Sequence, residues 1–261
     1  MKPLTSLALG LCLLAPPGLG SAALAQGVPA LAQDQPYAGL RSPPTAAFPD
    51  QALFGSVRFD KLEWNRLGGR DSARWDMEAF YGTDYDKVFL KSEGFYSGRA
   101  RKFDEAQFQV LYSRLISYFF DVQVGVRHDI SPRPSRTYAV IGVEGLAPGL
   151  FEIDADAYLS QKGEVSGTFT AFYDLLITNR LILQPRTDIR LQLQRVPDLN
   201  LGSGVTDLEL GARLRYEFTR EFAPYVGVTW DRKLGGTAAI AKRIDEPTSS
   251  VYFVGGVRLL W

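Results

Sequence analysis

The residues whose type and spacing invite chemistry are three carboxylates, Glu152, Asp154 and Asp156. Each is separated from the next by one residue, so an extended strand would project all three from one face. A row of carboxylate oxygens is a hard ligand set, suited to holding a divalent cation weakly. Donors that bind softer metals tightly, namely thiolate, thioether and imidazole, are scarce: the chain has one Cys, two Met and one His. Met77 shares a face with Trp75 and Ala79, and is expected to face apolar surroundings. His128 shares a face with Val124 and Val126 and reads as a boundary residue. Nucleophilic catalysis needs a base beside an activated Ser or Cys. With one histidine and no G-x-S-x-G element, the chain is expected to have no enzymatic activity.

More charge is arranged with the same period of two. Asp76 and Glu78 alternate with apolar neighbours, as do Lys87, Lys91 and Glu93. So do Arg186, Asp188 and Arg190, then Asp207, Glu209, Arg213, Arg215 and Glu217. The opposite faces are apolar: Leu183, Thr187, Ile189, Leu191 and Leu193 in one segment, Leu208, Leu210, Ala212 and Leu214 in the next. Such strands suit a soluble sandwich or a membrane barrel. In the barrel the apolar face meets lipid and the charged face lines the lumen.

Several observations favour the barrel. Segments of about ten residues, the length a tilted strand needs to cross a bilayer, fall at 56–66, 72–82, 85–95, 103–115, 118–129 and 137–147. Six more fall at 150–160, 164–176, 181–195, 204–217, 222–234 and 250–261. An even strand number leaves both ends of the barrel in the periplasm. Connections after even segments are short, as at Thr83-Asp84, Ile116-Ser117 and Pro148-Gly149. Most of those after odd segments are longer or more polar, the last running from Gly235 to Ser249, with Lys162-Gly163 as the exception. The chain ends on Trp261, in phase with Phe253, Gly255, Val257 and Leu259; a terminal aromatic on a last strand is what the outer-membrane assembly machinery recognises. Aromatics near expected strand ends, among them Trp75, Tyr81, Phe120 and Trp230, suit the two membrane interfaces.

The first residues read as a secretory leader: Lys2, an apolar run from Leu7 to Leu14, and a small-x-small site at Ala23-Leu24-Ala25, so residues 1–25 are expected to be removed. Leu11 before Cys12 disfavours lipidation, and the mature chain has no cysteine. Residues 26–55, rich in Pro, Ala and Gln, are expected to be a disordered periplasmic arm, and 56–261 a twelve-stranded antiparallel outer-membrane β-barrel. Charge is balanced, 29 basic against 29 acidic residues, which argues against a nucleic-acid partner. The expected contacts are outer-membrane lipid and the assembly machinery.

From Phe59 to Trp261 the sequence resembles the copper resistance protein B family. The resemblance lies in Asp60-Lys61-Leu62-Glu63-Trp64, YGTDYDKVFLKSEG (81–94), LYSRLIS (111–117), SRTYAVIGVEGLAPGLFEIDADAYLSQKGEVSG (135–167), YDLLITNRLILQPR (173–186) and GSGVTDLELGARLRYEFTREFAPYVGV (202–228). It implies an outer-membrane barrel acting in copper tolerance, by binding, exporting or excluding the ion or by scaffolding a periplasmic copper protein. One departure stands out. Family members commonly carry a Met- and His-rich N-terminal region, and the arm here has neither residue. Copper is therefore expected to bind weakly, at Glu152, Asp154 and Asp156, with no organic cofactor. The alternative is a general small-solute or structural barrel with no copper role.

Overall fold

The computed structural model describes residues 52–67, 70–98 and 101–261. The leader and most of the arm lie outside them. Twelve strands follow in order: β1 (Phe54–Leu67), β2 (Arg70–Gly82), β3 (Asp86–Ser97), β4 (Lys102–Ser117), β5 (Phe120–Ser131) and β6 (Arg136–Ala147). Then come β7 (Phe151–Ser160), β8 (Val165–Phe172), β9 (Leu181–Gln192), β10 (Gly204–Tyr216), β11 (Phe222–Lys233) and β12 (Ser249–Leu260). A short piece, Leu175–Leu176, continues β8 along β9.

Each strand pairs antiparallel with its neighbours in sequence, and β12 pairs with β1, from Arg58↔Leu260 to Asn65↔Val254. The sheet therefore closes on itself and leaves no edge. Lipid offers the backbone no hydrogen-bond partner, and closure satisfies the ladder internally. The seam is fastened at its inner end, where the Val57 and Trp261 amides each donate to the other's carbonyl at 2.8 and 2.9 Å. Ser56 Oγ adds a bond to the Trp261 carbonyl, and the Phe59 and Trp261 rings meet edge to face.

The barrel is inside-out relative to a soluble protein. Outward-pointing Ile141, Val226 and Phe253 are 57%, 63% and 81% exposed, whereas the inward-pointing Gln123 and Arg213 are 1% and 3% exposed. Burial of that apolar belt requires lipid. Exposed Tyr81, Tyr85, Tyr118, Phe119, Phe218 and Phe222 gather at the inner end, as an interfacial girdle does.

Two strands depart from regular pairing, each with a local cause. In β1 the register shifts between Phe59 and Lys61. This bulge lets Asp60 and Lys61, adjacent in sequence, both line the interior. In β8 the ladder breaks at Tyr173 and Asp174, opposite Pro185 and Gln184 of β9. Pro185 has no amide hydrogen to donate. Tyr173 still donates to the Pro185 carbonyl, and Asp174 accepts from Gln184 Nε2 and Arg215 Nη2, both at 2.7 Å.

The connections correct several expectations. β4 runs on through Ser117, and the turn expected at Ile116-Ser117 is made by residues 118–119 instead. Four of the outer connections are short: 68–69, 98–101, 132–135 and 161–164. The expected length asymmetry rests on the last two, 193–203 and 234–248. The latter was expected to be a loop but contains helix α1 (Gly235–Arg243). The run Thr237-Ala-Ala-Ile-Ala-Lys-Arg is rich in good helix formers, and Lys242 and Arg243 in its last turn suit the negative end of the helix dipole. Glu217 and Phe218 fall in the inner turn after β10, not in the strand.

Candidate functional site: the charged lumen

Alternation along twelve strands delivers one side chain in two to the interior, where a cavity of about 760 Å³ remains open. That matches twelve strands, intermediate between filled eight-stranded and open sixteen-stranded barrels. Two walls of this lumen differ in how their charges are met.

The first wall is built from β8, β9, β10, β1 and β2, and its charges are matched. Arg213 Nε donates to Glu63 Oε1 at 2.7 Å, and Tyr225 donates to the same oxygen at 3.2 Å. Arg186 Nε reaches Asp188 at 2.9 Å, and Thr170 donates to that carboxylate at 2.6 Å. Arg215 contacts Asp174 at 2.7 Å and Glu217 at 3.4 Å. Lys61 lies 3.5 Å from Asp76, which Arg186 also approaches at 4.0 Å. Arg74 spans both oxygens of Glu209 at 3.0 and 3.2 Å. Most of these bonds join different strands, so they staple the barrel as well as neutralise it.

The second wall, from β6, β7 and the facing β3, is rich in carboxylates. Lys91 Nζ donates to Glu144 at 2.9 Å and to Asp154 at 3.2 Å, and stands 4.0 Å from Glu78. Gln123 Nε2 shares Glu144 at 2.7 Å. Asp156 accepts from the Tyr158 hydroxyl at 2.8 Å and lies across Gly142, where a Cβ would collide with Asp156 Oδ1. Glu152 also lines the cavity. Towards the outer end, Glu93 accepts from Gln107, Arg190 meets Glu105 at 3.2 Å, and Asp207 lines the cavity beside them.

All the charged residues singled out in the sequence on β2, β3, β7, β9 and β10 lie on inward-facing positions. The structure places Glu152, Asp154 and Asp156 along one wall but does not converge them. Alternate residues of a strand are about 7 Å apart, and Lys91 and Tyr158 hold two of the three. Among the described residues no group of three or more His, Cys, Asp or Glu side chains is placed to hold a metal ion. A soft metal ion would meet only hard oxygen donors along this wall, a poor match. Met77 pairs with Phe59 and Ser92 on the outward face between Asp76 and Glu78. His128 also points outward, its Nδ1 2.9 Å from Thr137 Oγ1.

Several lumen groups escaped the sequence reading. Glu63 lies beyond the bulge that breaks the alternation of β1. Glu144 ends a face of Arg136, Tyr138, Val140 and Gly142, too apolar to mark as polar. Arg127 forks onto Asp129 at 2.6 Å with its guanidinium 5.4 and 4.7 Å from the Tyr138 and Tyr158 ring centroids. Alternation through Gln123, Gly125, Arg127 and Asp129 was the available signal.

The outer mouth is narrowed by the two longer connections. Asp198, in 193–203, reaches Lys162 at 3.1 Å and Arg136 at 3.3 Å, and Arg136 is also bonded to Glu164. The Gly202 amide donates to Thr237 Oγ1 of α1 at 3.0 Å. The two segments approach so closely that a Cβ on Gly202 would stand 2.5 Å from the Gly236 backbone. Thr237, Ala241 and Ile244 line the cavity from above.

A closed antiparallel barrel with an apolar outer belt and a charged lumen defines an outer-membrane β-barrel protein, in contact with membrane lipid. Residues 53–261 match the family described as copper resistance protein B precursor (CopB), and the chain belongs to that family. It is 39% identical to copper resistance protein B of Escherichia coli over 82% of this chain and 71% of that one. It is 38% identical to the copper resistance protein B homolog of Pseudomonas syringae pv. tomato (strain ATCC BAA-871 / DC3000), over 80% and 71%. Among solved structures it is similar to the NanC porin at 12% identity, covering 79% of this chain and 99% of that one, with a TM-score of 0.49. The KdgM porin is similar at 12% identity, over 78% and 98%, with a TM-score of 0.46.

Proposed function

We propose that this barrel acts in copper tolerance at the outer membrane and that copper, where it meets the lumen, is held weakly by the acidic wall. The observation that carries the reading is the family match across 53–261. The printed names of both relatives, at 39% and 38% identity, support it. The donor set supports weakness: Glu152, Asp154 and Asp156 offer oxygen alone, and two of them already hold protein hydrogen bonds. The proposed role is one of binding, passage, exclusion or scaffolding, without enzymatic activity. A periplasmic copper protein is the proposed partner. The barrel assembly machinery is the proposed route of insertion, acting on the strand that ends at Trp261.

A second reading, a structural or general small-solute barrel, is favoured by the dense cross-strand ion pairs of the first wall. A deletion strain separates the two. The copper reading expects growth to fail at a lower copper concentration and to be restored by the intact gene. Unchanged copper tolerance would leave the second reading.

A further inference from the structure

We infer that the lumen selects permeating ions by the sign of their charge, admitting small hydrated cations in general and rejecting anions. This deepens the reading above, and rests on it in treating the lumen as a path for ions. It commits to alkali and alkaline-earth cations as permeants beside copper.

The first observation is an imbalance. The chain as a whole is neutral, with 29 basic and 29 acidic residues. Its cavity is not: sixteen of the lining residues are Asp or Glu and nine are Lys or Arg. An excess of seven negative charges is confined inside a barrel whose outer surface is apolar. Low-dielectric walls focus such a field along the bore, and rings of carboxylates are how cation pores reject anions. Among the cations outside the cavity lining, Lys102, Lys162, Lys242 and Arg243 are exposed at the outer rim.

The second observation is independent of net charge and comes from the inner surface itself. Gln109, a lining residue that is 3% exposed, has no hydrogen-bond partner for its buried Oε1. Asp156, 9% exposed, leaves Oδ1 unpartnered, and Asp154 does the same. These atoms lie on two walls and accept only. They match the hydrogens of a cation's hydration shell, or the cation directly, and offer nothing to an anion. The cations of this region are already committed: Lys91 to Glu144 and Asp154, Arg127 to Asp129. Each of the nine lining Lys and Arg residues stands in an ion pair with a carboxylate, although Arg136 Nε lacks a hydrogen-bond partner; an anion entering the lumen finds every cation already paired, while a cation finds carboxylates in excess.

The test is the reversal potential of the purified, refolded barrel in a planar bilayer under a KCl gradient. Heat-modifiable gel mobility confirms folding of each protein used. The expected potential has the sign of K⁺ permeation, with K⁺ several-fold more permeant than Cl⁻. Raising both solutions at constant ratio towards 1 M shortens the Debye length to about 3 Å and should shrink the potential. Changing Glu152→Gln, Asp154→Asn and Asp156→Asn together should lower the permeability ratio while keeping its sign. Asp84→Asn, an exposed change in the inner turn between β2 and β3 and outside the cavity lining, should leave it unchanged. A potential of zero or of Cl⁻ sign would overturn the inference, as would a folded barrel that passes no current. A ratio untouched by the triple change would overturn the part assigned to the acidic wall. Intact cation selectivity in a protein whose deletion leaves copper tolerance unchanged would remove the copper role alone.

Discussion

The two walls of the lumen use the same residue types to opposite ends. On the wall of β8 to β10, β1 and β2, each of these carboxylates is met by a guanidinium at close range: Glu63 by Arg213, Asp188 by Arg186, Asp174 by Arg215. On the wall of β6 and β7, one ammonium, Lys91, serves both Glu144 and Asp154, while Glu78 of β2, 4.0 Å from Lys91, has Arg58 at 3.3 Å. Matched charges buried between strands fix the distance between those strands. Unmatched charges leave a field in the space between them. The barrel thus separates holding its shape from presenting charge to whatever enters.

The comparison breaks most sharply at Glu63. Both members of the Glu63–Arg213 pair are 3% exposed, and removing one partner of a buried pair strands the other, at a cost of about 3–5 kcal/mol. Glu63→Ala should lower the denaturant midpoint of the refolded barrel accordingly. Asp154→Asn on the other wall should cost about 1 kcal/mol or less, as for a partly solvated ion pair. Equal losses would show that the walls do not divide the work.

The outer surface gives the next largest effect. Leu210→Arg puts a charge on the lipid face, at about 2–4 kcal/mol near the bilayer midplane. A mild effect from this change would shift the register of β10 by one residue. The neighbouring Glu209→Gln should be costlier than a generally polar lumen implies, because it leaves Arg74 without its bidentate partner.

Smaller again is the seam. Deleting Trp261 removes two ladder bonds to Val57 and the Ser56 bond, about 1 kcal/mol each. The fraction migrating as the folded, heat-modifiable form should fall. Wild-type amounts of inserted barrel would show that the seam closes without it.

Much of this architecture was legible because lipid and water impose opposite preferences on alternate residues. Leu183 to Leu193 and Asp207 to Tyr216 declare their faces at every position. Legibility failed where the face was mixed or the backbone irregular. Glu144 follows Gly142 and, before it, Tyr138 and Val140, inward residues that pack with Phe89 and Leu111 inside the barrel. Glu63 was hidden by a bulge, which reverses phase without a sequence mark. The pairing of Asp174 with Arg215 depends on a ladder break opposite Pro185, legible only once the strands are in register. Helix α1 was hidden by its setting, since a strand protein leads one to read a long outer connection as loop. At the acidic strand, alternation gave the shared wall. It was silent about Lys91 and Tyr158, which come from other positions and decide how free those carboxylates are.

A metal ion held by the acidic wall would meet oxygen donors alone, and so bind weakly. Titrating copper(II) into the purified barrel and into the Glu152→Gln, Asp154→Asn, Asp156→Asn protein, with calcium in parallel, tests it most directly. The expected result is copper(II) binding no tighter than micromolar, with calcium as the hard-cation control, and loss of both in the triple variant. Tight, copper-selective binding that survives the triple change would contradict it and move the site to His128 or to the N-terminal amine.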